Sequence, residues 1–456
     1  MPENSGGDWD RETLVRWDDA HVWHPFTPHS VYRSEDPLMI VEAEGHELID
    51  ADGRRLLDGV SSLWCTIFGH RVPEIDQAVS AQLERVAHAT FLGNASAPGV
   101  VLAKRLADLA PGHLNRVFYS DDGSTAVEVA VKMAIQFWQQ VGEPDKRRFI
   151  AFSDAYHGDT AGAVSVGGID LFHARFGPLL FDVSRCLSPY ARRAEAAGDD
   201  ARWLELAVAD LQAVLEERSG EVAAVVLEPG MQGASGMLTQ PPGYVAAVRA
   251  LTEEHDTLLI LDEVAMGMGR SGKLFASETE GVVPDFIALA KGLTGGYLPL
   301  AATLTHERIF EAFLGPPEEG KTFFHGHTFT GNALGSAAAL ATLDLFEKPG
   351  FLEGLPARCE ALGERLERLR RHACVADIRR YGFAAGVELQ ADPAKGLGFD
   401  SASRIGARVC QAAGRRGVFL RPLGDVIVLM PPLTLSDEEL DRLIDAIDEG
   451  ISEVVP

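Results

Sequence analysis

The chain has 456 residues, of which 46% are hydrophobic and 24% charged, so it can bury a large core and form two or three domains. Its formal net charge of -26 opposes binding to nucleic acid and to anionic membranes, which are bound chiefly through lysine and arginine. We therefore expect small-molecule chemistry, with no nucleic-acid and no membrane partner.

The cysteines indicate a reducing compartment. The five cysteines are widely spaced and form no C-x-x-C pair, so neither a disulfide framework nor a zinc site is predicted.

The N-terminus has no apolar targeting segment, and no stretch reaches the ~18 unbroken apolar residues of a membrane helix. We expect a cytoplasmic protein.

The N-terminal segment, residues 1–75, contains a hairpin pattern. Residues 43–59 alternate between polar and apolar types around Asp52-Gly53, a dipeptide typical of a two-residue hairpin turn. We expect this segment to pack with the C-terminal part of the chain in a smaller domain.

Residues 76–330 are predicted to form a large α/β domain. Between the first two β-rich runs, apolar residues from Val127 to Trp138 recur at helical spacing. Along this part of the chain, β-rich runs alternate with segments of helical periodicity, and this alternation favours a mostly parallel, doubly wound sheet flanked by helices. The β-rich runs cover residues 116–120, 147–152, 222–228, 257–263, 285–290 and 300–305.

Residues 331–456 are expected to complete the smaller α+β domain. An Ala-rich helical pattern over 331–347 precedes β-like segments and a last helix, for which Ser436 and Glu439 form a capping box. A polar stretch near 191–203, inside the large domain, is expected to be an exposed insertion or helix.

The residues just past the first two runs suit a phosphate and a planar ring. Ligands of open α/β sheets lie beyond the carboxyl ends of the strands. Residues 121–125 begin a helix, where free N–H groups and the helix dipole suit a phosphate, although a simple N-cap accounts better for these residues taken alone. After the second run, Tyr156 or His157 could stack on a ring, and Gly158 leaves room for the backbone. A purely structural aromatic fits this position as well.

Asp262 lies at the end of the fourth run, and Lys291 directly follows the fifth. A carboxylate at the end of an apolar strand needs a cationic partner, and a protonated pyridine nitrogen is one. A desolvated lysine forms imines with carbonyl compounds. Together with the phosphate site and the aromatic residue, this pair predicts pyridoxal 5'-phosphate (PLP), whose ring acts as an electron sink.

The order of these elements resembles the fold-type I, class III aminotransferases over essentially the whole chain. The stretches LLILDEVAMGMGRSGKLFA, ALAKGLTGGYLPLAATL and FFHGHTFTGN carry this resemblance. Finer motifs are similar to the 8-amino-7-oxononanoate aminotransferases of biotin biosynthesis: WHPFT (23–27), DGVSSLW (58–64), AYHGDTAGAVSVG (155–167), QGASGM (232–237) and LRPLGDVIVLMPP (420–432). The resemblance implies a seven-stranded central sheet and a ping-pong transamination of 8-amino-7-oxononanoate.

The resemblance also implies roles for individual residues. Lys291 would hold PLP as a Schiff base and act as general acid and base, Asp262 would protonate the ring nitrogen, and Tyr156 would be the third catalytic residue. The expected cofactor-binding residues are Gly123, Ser124, Tyr156, His157, Glu228, Asp262, Val264, Lys291, His327 and Thr328. Thr328, with the backbone around His327, would bind the phosphate of the neighbouring subunit, which implies a homodimer with shared active sites.

The expected substrate-binding residues are Phe26, Trp64, Tyr156, Gly326 and Arg421. Arg421 matches the arginine that holds the substrate carboxylate, a task suited to a planar guanidinium. The reacting ketone lies many carbons from that carboxylate, so an apolar channel, with Phe26 and Trp64 as its walls, is expected.

The amino donor stays open between L-lysine and S-adenosylmethionine. Enzymes of the adenosylmethionine-using branch carry a tyrosine where Phe26 stands and a tryptophan where Leu63 stands. The motifs PFT, HGHTFTGN and RPLGDVI are more similar to the lysine-using branch, which favours L-lysine.

Three further patterns match nucleotide or metal motifs but lack the sequence context that such sites need. Residues 315–322 fit the Walker A pattern of ATPases, but two prolines and two glutamates oppose phosphate binding and no strand precedes them. GMGRSG (267–272) fits a dinucleotide-binding motif, yet the helical periodicity after it is weak. His325 and His327 lack the further ligands of a metal site, so no metal is predicted.

Rival functions remain within and outside the PLP enzymes. Other class III ω-aminotransferases, acting on a different amine or oxo acid, and an aminomutase would share the lysine and the aspartate. Arg421 and WHPFT argue against both. A non-catalytic PLP-binding regulator is disfavoured because the chain is acidic and has no appended DNA-binding segment.

Overall fold

The computed structural model describes residues 10–190 and 199–455. The strands are β1 (Ile40–Glu44), β2 (Glu47–Asp50), β3 (Arg55–Asp58), β4 (Arg116–Ser120), β5 (Arg148–Phe152), β6 (Val183–Cys186), β7 (Val222–Leu227), β8 (Met231–Gln232), β9 (Leu238–Thr239), β10 (Leu258–Asp262), β11 (Phe286–Leu289), β12 (Ala301–Thr305), β13 (Val375–Tyr381), β14 (Ala384–Leu389), β15 (Val418–Phe419), β16 (Arg421–Leu423) and β17 (Val426–Leu429).

The helices include one distorted turn, α3. They are α1 (Arg11–His21), α2 (His29–Tyr32), α3 (Ser61–Trp64), α4 (Pro73–Leu83), α5 (Ala97–Leu109), α6 (Gly123–Gln140), α7 (Ala161–Val166), α8 (Asp170–His173), α9 (Asp200–Glu217), α10 (Tyr244–Glu254), α11 (Glu307–Ala312), α12 (Ala333–Phe346), α13 (Phe351–Leu366), α14 (Ile405–Arg415) and α15 (Asp437–Val454). The polar stretch predicted near 191–203 lies outside the described residues up to position 198, and α9 begins at Asp200.

Seven strands form the central sheet, in the order β4-β12-β11-β10-β7-β5-β6. Neighbours from β11 to β6 run parallel, whereas β12 is antiparallel to both β11 and β4. The predicted mostly parallel, seven-stranded α/β fold is therefore confirmed. Six strands are the predicted runs, and the four-residue β6, with only one buried residue, was missed.

Helix α6 covers one face of this sheet with the predicted apolar stripe. Its residues Val127, Ala130, Val131, Ala134 and Trp138 are all buried. Burying a large aliphatic side chain contributes about 1.5–3 kcal/mol, so this stripe fixes the helix on the sheet. Asp122 caps the helix by accepting from the N–H of Thr125 at 2.9 Å, which fixes where the helix begins.

The two ends of the described chain meet in a second sheet, β1-β2-β3-β15. Strands β2 and β3 form the predicted hairpin, with Gly53 at a φ of 77°, and β3 pairs in parallel with β15. A third sheet has the order β13-β14-β17-β16, and Ser436 and Glu439 form the predicted capping box of α15. The domain boundaries at 75/76 and 330/331 stay predictions.

Neither of the two sequences that match nucleotide-binding motifs has the strand and helix context that such a motif needs. Residues 315–320 are exposed and follow helix α11 instead of a strand. The GMGRSG loop is buried and leads into a single short 3-10 turn, Ala276–Thr279, instead of a helix. None of the described helices is long and apolar enough to cross a membrane.

Candidate active site

Asp262 ends strand β10 with a buried carboxylate, as predicted. Its Oδ2 accepts from Nδ1 of His157 at 2.8 Å, and its Oδ1 accepts from the N–H of Val264 at 3.0 Å. His157 is buried too, and its Nε2 has no partner within the described residues. Among the described residues, no lysine or arginine lies within ion-pair distance of the Asp262 carboxylate. The carboxylate can therefore still neutralise a cation that enters the site.

Lys291 follows strand β11, the parallel neighbour of β10, with a φ of 42°. It forms no ion pair in the part of the chain that the structure describes. Burial lowers the pKa of Lys291, while the negative charges of Asp262 and Glu228 oppose that shift. A lysine with a lowered pKa has a larger uncharged fraction, which is the nucleophilic form. Its Nζ lies 5.1 Å from the ring centroid of Trp64.

The N-terminus of α6 offers free N–H groups beside two constrained glycines. The N–H groups of Gly123 and Ser124 donate to no acceptor in the described chain, whereas Ser124 Oγ accepts from the N–H of Thr160 at 2.8 Å. A Cβ on Gly123 would lie 2.5 Å from Cγ1 of Val264, and one on Gly158, at φ 115°, would collide with Ser124. This end of the 18-residue helix is thus shaped for an anion.

Glu228, just past β7, ties the predicted stacking residue to a loop. Its Oε1 accepts from the N–H of Tyr156 at 3.0 Å and its Oε2 from the N–H of Gly233 at 3.1 Å. Burial raises the pKa of Glu228 to about 7. The Tyr156 hydroxyl donates to Asp159 at 2.8 Å, and burial raises the pKa of that phenol.

Phe26 lies at the rim of this group, 59% exposed. Its ring centroid lies 6.4 Å from that of Tyr156 and 5.2 Å from that of Phe172 on α8. Phe172 and Asp159 were not predicted as site residues. No periodic or strand-end pattern marks Phe172, and Asp159 lies in the AYHGDT segment, three residues past Tyr156.

Trp64 lies next to Lys291, whereas Arg421 lies on strand β16 of the third sheet. The Trp64 ring packs against Gly233, whose Cβ would lie 3.2 Å from it. Arg421 is exposed on β16 and has no hydrogen-bond or ion-pair partner among the described residues. The structure does not bring Arg421 into contact with Lys291. Strand β17, which pairs with β16, connects Arg421 to the loop beside Trp64. Val426 on β17 packs against Gly236, and the same loop holds Gly233.

The loop with Gly326, His327 and Thr328 lies beside the start of α6 of the same chain. Nδ1 of His327 lies 2.8 Å from Oδ2 of Asp121, and the carbonyl of Thr328 accepts from His88 at 2.8 Å. Gly326 and Thr328 are exposed. Within residues 10–190 and 199–455, no three His, Cys, Asp or Glu residues lie close enough to hold a metal ion.

The pair of Asp262 and Lys291 at adjacent strand ends, beside a helix N-terminus with free N–H groups, is the arrangement of a fold-type I PLP-dependent transferase. The chain belongs to the class III aminotransferase family, whose model matches residues 30–451. The aminotransferase reaction class and the PLP cofactor predicted from the sequence are thereby confirmed.

Individual relatives are similar over nearly the whole chain. The adenosylmethionine-8-amino-7-oxononanoate aminotransferase of Geobacter sulfurreducens is 51% identical, covering 98% of this chain and 99% of its own length. The crystal structure of the enzyme of that name from Methanocaldococcus jannaschii has a TM-score of 0.93 at 41% identity, covering 98% and 100% of the two chains. A PLP-bound amine transaminase from an uncultivated Pseudomonas species has a TM-score of 0.89 at 34% identity, covering 95% and 99%.

Proposed function

We propose that this enzyme transfers an amino group to 8-amino-7-oxononanoate in biotin biosynthesis, giving 7,8-diaminononanoate. The names of relatives up to 51% identical over nearly full length support this substrate. The observation that carries the chemistry is the buried Asp262 next to a lysine whose ammonium form burial disfavours. Turnover of purified enzyme with 8-amino-7-oxononanoate and a donor tests the proposal, and amination of other oxo compounds alone would contradict it.

The side chains present fit PLP. Asp262 has no lysine or arginine partner in the described chain, and the N–H groups of Gly123 and Ser124 are free to bind a phosphate. Val264 and Tyr156 would contact the two faces of the ring, with Glu228 fixing the position of Tyr156. We assign His327 and Thr328 to the phosphate of the neighbouring subunit.

Bound PLP supplies an electron sink that stabilises negative charge on the substrate carbon. Asp262 keeps a proton on the ring nitrogen, because its buried carboxylate favours a cation at hydrogen-bond distance. Lys291 holds the cofactor and then, as a free amine, moves a proton to and from the substrate carbon. Trp64 and Phe26 exclude water from the apolar part of the substrate, and Gly326 leaves space for it.

We propose that Arg421 binds the carboxylate of 8-amino-7-oxononanoate. The guanidinium is exposed and unpaired in the described chain, so a carboxylate does not have to displace an internal partner. This role separates the proposed acceptor from the simpler amines of ω-transaminases.

S-adenosylmethionine is the donor that the names of the relatives support. Phe26 and Leu63 instead favour L-lysine, and Phe26 has no hydroxyl to offer a donor. Half-reactions with each donor decide the matter, because amino transfer to the cofactor changes its absorbance without any acceptor. Amination by S-adenosylmethionine and none by lysine is the expected result. The reverse result would overturn this choice of donor.

We propose a homodimer in which Thr328 completes the partner's site. Apolar side chains are strongly exposed close to this loop and at its end: Leu92 at 88%, Phe324 at 84% and Phe329 at 58%. Such exposed apolar surface is typical of an interface. Mixed dimers of Lys291→Ala and Thr328→Glu chains should regain activity, since one of their two sites is intact. Inactive mixed dimers would contradict shared sites.

The acidic charge and the unpaired cysteines support a cytoplasmic enzyme without nucleic-acid or membrane partners.

A further inference from the structure

The turn that carries Trp64 has an unfavourable backbone. Ser61, Ser62 and Trp64 have φ values of 49°, 57° and 69°, although none is a glycine. Such a conformation is unfavourable for a residue with a Cβ and persists only where surrounding contacts fix it. The turn therefore needs a specific anchor.

Asp58 provides that anchor. The carboxylate is fully buried, and its Oδ2 accepts from the N–H of Ser62 at 2.7 Å, from the Ser62 hydroxyl at 3.2 Å and from Nε2 of His70 at 3.0 Å. Its Oδ1 accepts from the N–H of Val60 at 3.3 Å. No lysine or arginine of the described chain pairs with this carboxylate. The Thr66 hydroxyl donates to Oδ2 at 3.5 Å, so the hydrogen bonds of Asp58 are directed to the turn, to the residue two positions past Trp64 and to one histidine.

The far end of the turn faces the candidate active site. The Trp64 ring lies between Nζ of Lys291, 5.1 Å from its centroid, and the backbone of Gly233. We propose that Asp58 is a positioning residue for the acceptor site, holding the Ser61–Trp64 turn so that the Trp64 indole forms the channel wall beside Lys291. This inference rests on the proposed function, since it assigns Trp64 to the acceptor channel.

A double-mutant cycle tests the coupling. Asp58→Asn keeps the size of the side chain but replaces one carboxylate oxygen with an NH2 group that cannot accept these hydrogen bonds. It should lower kcat/KM for 8-amino-7-oxononanoate about tenfold or more, as expected for lost hydrogen bonds to a charged group. If Asp58 acts through Trp64, adding Asp58→Asn to Trp64→Leu should cause little further loss. If the double variant loses kcat/KM by the product of the two single-variant losses, the proposal is overturned.

Asp50→Asn is the matched control. Asp50 is buried in the same sheet and holds the Asp52-Gly53 turn through the N–H groups of Asp52 and Arg54, at the opposite end of strand β3 from Asp58. It should lower thermal stability as Asp58→Asn does, while kcat/KM stays at the wild-type value. A purely structural role for Asp58 predicts the same kinetics for both variants.

A glycine in the turn should rescue the Asp58→Asn variant, because it relieves the unfavourable backbone conformation. Glycine adopts positive φ readily, so Ser62→Gly should restore part of the activity of Asp58→Asn. Absence of any rescue, with the double variant folded, would show that the turn geometry is not what Asp58 supplies.

A substrate-free measurement separates this inference from the proposed function. Cys65 follows Trp64 and is partly exposed, whereas the other four cysteines are buried. Its labelling by 5,5'-dithiobis(2-nitrobenzoic acid) should be faster in Asp58→Asn than in the wild type or Asp50→Asn, and Cys65→Ser should remove that signal. Unchanged labelling would refute the anchor even if the wild type aminates 8-amino-7-oxononanoate. Faster labelling in an enzyme that ignores this substrate would refute only the proposed function.

Discussion

Nδ1 of His157 donates to Oδ2 of Asp262 at 2.8 Å, and both side chains are buried at the carboxyl ends of two strands of the central sheet, β5 and β10, with β7 between them. An ionised carboxylate only accepts, so this hydrogen bond places the imidazole proton on Nδ1. The histidine thus fixes the orientation of the carboxylate that faces the proposed ring nitrogen.

Asp262→Asn should lower kcat by about 100-fold or more, because a neutral amide does not stabilise a protonated ring nitrogen. The matched variant His157→Gln should cause a smaller loss, since it removes only the group that orients the carboxylate. Steady-state kinetics with saturating cofactor measure both. An Asp262→Asn enzyme with the wild-type kcat would contradict the assigned role.

Lys291→Ala should abolish multiple turnovers, with a loss of at least ~100-fold attributable to the missing acid and base alone. The control is Lys273→Ala, which removes an exposed lysine of the predicted large domain. Turnover assays and the absorbance of the lysine-bound cofactor are the measurements. Retention of both in the Lys291 variant would exclude the assignment.

The central sheet could be predicted because its strands are apolar runs separated by helical periodicity. Strands such as β10 and β11 are buried at every position, and the charged residues at or just past their ends, Asp262 and Lys291, could be identified directly. Strand β6 was missed because it has only four residues, of which one is buried, and so short a segment carries no such pattern. The antiparallel direction of β12 also could not be derived, since strand direction depends on the connection and not on local composition.

The rest of the site depends on contacts between residues far apart in sequence. Asp58 lies only a few residues from Trp64, yet its function as an anchor is visible only in the φ values of the turn. Phe172 approaches Phe26 from a distant part of the sequence, and no local pattern encodes that contact. The roles of Arg421 and Thr328 come from the family resemblance.

Arg421→Ala should raise KM for 8-amino-7-oxononanoate about tenfold or more, because hydrogen bonds to a charged carboxylate are lost. The half-reaction with the amino donor should change less if the donor binds elsewhere in the channel. Arg408→Ala removes an exposed arginine of the neighbouring helix α14 and serves as the control. An equal effect of the two variants on KM would remove Arg421 from the substrate site.

Glu263 is buried beside Asp262, and burial raises its pKa to about 7 although the N–H groups of Ala276 and Ser277 donate to it. The folded state therefore holds this proton more tightly than the unfolded state, where the pKa is about 4.5. The contribution of this carboxyl to stability is complete below about pH 4.5 and is lost as the pH rises through about 7.

Glu263→Gln removes this titration, so the unfolding free energy of the variant should rise relative to wild type by up to ~3 kcal/mol from pH 4.5 to pH 8. Urea unfolding of the holoenzyme at both pH values measures the difference. Glu278→Gln, an exposed neighbour whose carboxylate accepts from the N–H of Phe275, should show no such change. A gap between wild type and Glu263→Gln that stays constant with pH would mean that Glu263 is charged in the folded protein throughout this range.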